Sequence, residues 1–97
     1  MPTYISLINW TEQGIRAGKE TLDRASAAAA LAESMGGKLK DIYWTVGQYD
    51  VVTVAEFPDE ATGTAFLLAV GSQGNVRTTT LRAFNRDEVA EILQKLP

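Results

Sequence analysis

Two strand-like runs joined by one glycine-led turn constrain this chain more than anything else in it. Leu39 to Val46 and Asp50 to Phe57 alternate in polarity, and Gly47-Gln48-Tyr49-Asp50 forms the punctuation between them. Alternation with period two marks a strand with two different faces. Gly47-Gln48 suits a two-residue hairpin loop of type II′, whose first central residue takes a positive φ that glycine reaches without a Cβ clash. Val46 then pairs with Tyr49 and Thr45 with Asp50. That register puts Ile42, Trp44, Val46, Tyr49, Val51, Ala55 and Phe57 on one face, and Asp41, Tyr43, Thr45, Asp50, Val52, Val54 and Glu56 on the other. The first face is oily and is expected against helices. The second mixes apolar and polar groups. A loop one residue longer would exchange the faces of one strand relative to the other.

The flanking segments supply the remaining elements. Thr3 to Trp10 alternates as a strand, with Tyr4, Ser6, Ile8 and Trp10 on one side and Ile5 and Leu7 on the other. Apolar groups on both sides predict a central strand covered on both faces. Thr11 can cap a short helical piece that Gly14 and Gly18 weaken, followed by a firm helix from about Glu20 to Met35. Leu22, Ala25, Ala29, Ala32 and Met35 share one stripe, and small side chains let such a helix lie close to a sheet. Gly36-Gly37 ends it. Asp59 is a plausible N-cap for a second helix reaching about Gly71, apolar more than half-way round. Val76 to Phe84 is a threonine-rich strand. Asn85 with Glu88 three residues on is close to a capping box, and Val89, Ile92, Leu93 and Leu96 give the stripe of a terminal amphipathic helix.

The order strand, helix, strand, strand, helix, strand, plus a terminal helix, predicts an α+β fold. With right-handed crossovers it is the ferredoxin-like βαββαβ arrangement, as one domain over residues 1–97. Two crossover helices shield only one sheet face. The other carries Tyr43, Val52 and Val54, and burying each Val-sized side chain is worth about 1.5–3 kcal/mol. A second copy, sheet to sheet about a two-fold axis, is the expected cover, giving a homodimer or a higher homo-oligomer.

Absences narrow the chemistry. The chain has no cysteine, which excludes disulfides, thiolate metal sites and Cys nucleophiles, and no histidine, which removes the commonest metal ligand and neutral-pH general base. No cofactor and no metal are expected. A formal charge of −3 without a basic patch argues against nucleic acid as a partner. No apolar run approaches the roughly 20 residues of a membrane helix, and no signal-peptide pattern opens the chain, so no membrane partner and a cytoplasmic location are expected.

The motifs resemble a known family. Gly47-Gln48-Tyr49-Asp50, with Tyr43-Trp44-Thr45 before and Phe57-Pro58-Asp59 after, are similar to the GYD-domain family. The match takes in Gly36-Gly37, the segment from Gly71 to Thr78, and Thr80-Leu81-Arg82-Ala83-Phe84, so it covers nearly the whole chain. A similar hairpin occurs in effector domains of Lrp/AsnC-type regulators. The resemblance implies a ferredoxin-like domain of the dimeric α+β barrel type and brings no established activity.

Candidate site residues follow from the mixed face. Tyr43, Thr45, Asp50 and Arg82 are the expected polar handles of a small ligand, and Gly47, Tyr49 and Asp50 form the hairpin motif. Arg82 offers a fork of donors for an anion, and is equally suited to a structural ion pair. Asp41, Asp50 and Glu56 could act as an acid–base pair or hold a metal; the plainer reading has them solvating strand ends or pairing with Arg77 or Arg82. Tyr4, Trp10, Tyr43 and Trp44 could line an aromatic pocket or pack in a core or interface. The glycines from Gly71 to Gly74 lack the Gly-Lys-Ser/Thr continuation of a phosphate loop. The leading functional reading is a small-ligand-binding or sensing module, its ligand held in a cavity between the sheets of a dimer. One alternative is a cofactor-independent enzyme, a monooxygenase or isomerase; another is a structural assembly protein without ligand.

Overall fold

The alternating segments become strands β1 (Thr3–Trp10), β2 (Lys38–Trp44), β3 (Val51–Glu56) and β4 (Val76–Ala83). The periodic segments become helices α1 (Glu12–Arg16), α2 (Thr21–Ser34), α3 (Glu60–Ser72) and α4 (Arg86–Leu93). These are the elements of a computed structural model that describes residues 1–97. The strands form one sheet in the order β2-β3-β1-β4, every neighbouring pair antiparallel. This is the ferredoxin-like α+β fold, with α4 appended.

The hairpin keeps the expected register: Trp44 lies opposite Val51, Tyr43 opposite Val52, Ile42 opposite Thr53 and Asp41 opposite Val54. Its loop is wider than two residues. The ladder stops at Trp44 and Val51, Thr45 N–H reaches the Asp50 carbonyl at 2.8 Å, and Val46 is fully exposed. Gly47 has φ +136°, the positive value that favours glycine. A bulge at Lys40 shifts the parity of β2, so that Leu39 comes opposite the buried Ala55 and turns toward the helices.

Caps set the helix ends. The Thr11 hydroxyl accepts the Gly14 N–H, the Asp59 carboxylate accepts the Thr62 N–H, and Asn85 with Glu88 completes a capping box. After α2, Gly36 takes φ +81°, Gly36 N–H bonds the Glu33 carbonyl and Gly37 N–H that of Ala32. These two bonds make a Schellman motif. Gly37 also has no room for a side chain, since a Cβ there would lie 2.4 Å from the Phe57 ring.

Helix α2 packs on β2 and α3 on β4, both on the same side of the sheet. Between them Phe57 is the one large side chain fully out of solvent, clustered with Ala32, Ala55 and Phe66. Its ring lies 4.9 Å from that of Phe66 and 6.4 Å from that of Tyr4. The Tyr4 hydroxyl is buried there without a hydrogen-bond partner. The opposite face, with Ile5, Leu7, Val52, Val54 and Leu81, carries no helix: α4 does not pack across it, and the α4 residues Val89, Ile92 and Leu93 are themselves exposed.

Candidate functional site

The layer between helices and sheet is filled at one end and hollow at the other. The filled end holds the Phe57 cluster, where α2 finishes and α3 begins. Toward the last residues of β1 and β2 the layer is not filled. Ser6, Thr53 and Thr78 on the sheet face Ala25 and Ala28 on α2, and a cavity of about 280 Å³ remains between them. Of its 21 lining residues 14 are hydrophobic, so its interior favours an apolar occupant. A closed void costs about 24 cal/mol per Å³, which for this volume is about 7 kcal/mol. That is an upper figure, because the cavity opens to solvent, yet it matches the whole stability of a small domain.

The mouth is built from segments far apart in sequence. Trp10 ends β1 and Trp44 ends β2, and both line the cavity. The Trp44 indole N–H donates to the Thr21 hydroxyl at 2.9 Å, tying the edge strand to the start of α2. Arg24, one turn further along α2, is the single charged residue of the lining. Its guanidinium donates to the carbonyls of Ala17 at 2.9 Å and Gly14 at 3.1 Å. Gln73 and Asn75 complete the rim from the turn before β4. That glycine-rich turn is an anchor: Thr11 N–H and hydroxyl bond the carbonyls of Asn75 and Gly74, and the Gln13 amide bonds the Gln73 carbonyl and the Asn75 side chain. Gly14 is required at this junction, because a Cβ there would lie 1.9 Å from the Asn75 carbonyl oxygen.

The four residues expected as ligand handles are not gathered in one place. Tyr43 is exposed on the open face of edge strand β2. Thr45 belongs to the hairpin end, its hydroxyl donating to the Tyr49 carbonyl. Asp50 is tied down: its carboxylate accepts the Trp10 N–H at 2.9 Å and its own N–H meets the Ile8 carbonyl at 2.9 Å. It thus joins the hairpin to the central strand. Arg82 sits on the other edge strand, paired with Tyr4 and therefore on the helix side, away from Tyr43. Its guanidinium lies 4.3 Å from the Phe84 ring centroid and bonds the Thr3 and Ala83 carbonyls. In place of the ion pairs expected with Arg77 or Arg82, Glu56 pairs with Lys40 at 3.0 Å, which holds the ammonium above its usual pKa. Of the four aromatics considered together, Trp10 and Trp44 meet at the cavity, Tyr4 joins the core and Tyr43 faces outward.

Sequence reasoning missed Thr21, Arg24, Gln73 and Asn75. The available signal was the row of small polar residues, Ser6, Thr53 and Thr78, on strand faces directed at an alanine-rich helix.

The hairpin geometry, its link to β1 and the anchored glycine turn are the features that carry the family motif, and a GYD domain model matches residues 4–93. The chain belongs to the GYD family. Among GYD-like relatives, a Thermus thermophilus protein named "Glutamine synthetase and cystathionine beta-lyase binding protein" is 32% identical over 97 residues, covering 99% of each chain. A crystal structure of a Thermus thermophilus protein is also similar, with a TM-score of 0.55 and 27% identity over 88% of this chain and 95% of that one. No helix of this GYD chain is long and apolar enough to cross a membrane.

Proposed function

We propose that this chain is a binding module that acts by protein contact. Its open sheet face joins that of a second copy, and the paired domain recognises an enzyme partner. The observation that carries this reading is the uncovered face itself: Ile5, Leu7, Val52, Val54 and Leu81 form an apolar field with no helix over it. Four strands of six to eight residues give a face of roughly 19 by 23 Å, or about 440 Å² per protomer. Two such faces bury about 900 Å², short of a standard specific interface. The exposed apolar residues of α4, Val89, Ile92 and Leu93, with Leu96 just beyond its end, add the remainder. The relative's printed name supports an enzyme as the further partner.

A small ligand between two facing sheets is the finer form of this reading. Such a ligand would meet Tyr43 and Val52, while Arg82 would be on the far side of the sheet. The enzyme alternative needs a carboxylate or phenol in a closed pocket, and the lining of the protomer's own cavity offers neither.

The test is assembly. Sedimentation at tens of micromolar is expected to show a dimer, and Val54→Glu, which puts a charge in the centre of the field, is expected to give a folded monomer with unchanged helicity. The dimer, not the monomeric variant, should retain purified glutamine synthetase or cystathionine β-lyase on a column. A wild-type chain that sediments only as monomer defeats the proposal.

A further inference from the structure

We propose that the hollow end of the layer between helices and sheet is a binding site for a flat aromatic carboxylate of about ten to twelve non-hydrogen atoms. The size follows from volume. An apolar cavity of about 150 Å³ accepts benzene, and this one measures about 280 Å³, room for a ring and a short conjugated arm. The shape follows from the walls. Ala25 and Ala28 of α2, with Leu31 beside them and Phe66, Leu67 and Val70 of α3, face a sheet presenting Ser6, Ile8 and Thr53, and the space between the two layers is a slot with largely apolar walls. Two indoles, Trp10 and Trp44, stand at its open end, where a ring can stack or meet them edge-on.

The charge follows from Arg24. It is the one ionised group on the lining, and no Asp or Glu lines the cavity to oppose it. Two of its five N–H donors are committed to the Gly14 and Ala17 carbonyls, which hold the guanidinium in place. The remaining donors can bond an anion at the mouth while the apolar part of the molecule fills the slot behind it. The Ser6 hydroxyl, buried and bonded to that of Thr80 at 2.9 Å, is already satisfied, so the deep end makes no demand for a second charge. This site is independent of the open sheet face, which lies on the other side of the sheet.

The experiment uses trans-cinnamate, with the isosteric, uncharged cinnamamide as its control. Both tryptophans of the chain line the cavity, so their two indole N–H signals in nitrogen–proton correlation spectra report occupancy directly. Cinnamate is expected to shift both signals saturably and to bind more tightly than the amide. Ala28→Phe, which fills the slot, should abolish both shifts; Ala25→Phe serves if that variant does not fold. Arg24→Gln should weaken cinnamate about tenfold and cinnamamide less than twofold, the signature of a charge-assisted contact. Val54→Glu, on the open face, should bind as wild type. No saturable shift with either compound overturns the site. Shifts that persist when the slot is filled place the molecule elsewhere and overturn it equally. Equal affinity for acid and amide, with Arg24→Gln weakening both alike, overturns the carboxylate assignment.

Discussion

The two ends of the helix–sheet layer are built from the same helices and strands, yet one is packed and the other hollow. At the filled end the Phe57, Phe66 and Tyr4 rings occupy the layer, and α2 comes close enough that Ala32 is fully buried. At the hollow end the same helix presents Ala25 and Ala28 to Ser6, Thr53 and Thr78, and the aromatic rings there, Phe66 of the core cluster and the two indoles of Trp10 and Trp44, border the cavity without filling it. Helix separation is common to both ends because α2 is one rigid rod, so it is set by the larger side chains. Small residues then bring the layers together only where nothing bulky holds them apart, and elsewhere they leave space. Stability resides at one end, and room for a ligand at the other.

Truncation should expose this difference most strongly. Phe57→Ala removes the largest fully buried side chain and should cost about 3–5 kcal/mol in urea unfolding. Ile8→Ala, on the cavity lining, removes a side chain already bordered by empty space and should cost about 2 kcal/mol, the low end for such a truncation. Equal losses would mean that the two ends are equally packed, and the comparison would fail.

Enlargement should reverse the sign between two positions seven residues apart on one helix. Ala32 is fully buried against Phe57, so Ala32→Leu forces the layers apart and should destabilise by about 1–3 kcal/mol. Ala25 borders the cavity, and Ala25→Leu places apolar groups in open space, for a gain of about 1 kcal/mol. The measurement is the pair of melting temperatures. Both falling would show the hollow end to be as tight as the filled one.

The sequence made the framework legible because its signals are local. The hairpin register, the caps at Thr11, Asp59 and Asn85, and the Gly36-Gly37 stop each depend on residues within a few positions of one another. The site was less legible because it depends on register between distant strands. From sequence alone Arg82 falls with Tyr43, because nothing near it shows which face it takes; pairing with Tyr4, far away in the chain, turns it to the helix side. The alanine stripe predicts close approach, which holds over Ala32. Its opposite over Ala25 depends on Ser6, Thr53 and Thr78, three residues from three strands. Arg24 belongs to no motif and acquires its position only when α1 folds beneath its guanidinium.

The helix starts repeat the contrast at smaller scale and give the smallest expected effect. Helix α3 starts at the filled end with Asp59, whose carboxylate accepts the Thr62 N–H at 2.8 Å. Helix α2 starts at the hollow end after Glu20, with no side-chain cap. The Thr62 N–H stabilises the ionised form of Asp59 and holds its pKa below the usual carboxylate value. A depressed folded-state pKa contributes stability that is present above the unfolded value, near pH 4, and is lost as pH falls through the lower folded value. Asn at this position still offers an oxygen to the Thr62 N–H but does not titrate. Wild type should therefore melt slightly above Asp59→Asn at neutral pH, and the gap should close as the pH falls below about 4. Melting curves at both extremes decide it: a gap for Asp59→Asn that is unchanged by acid would mean that the charge on this cap contributes nothing, and that the filled end owes its order to packing alone.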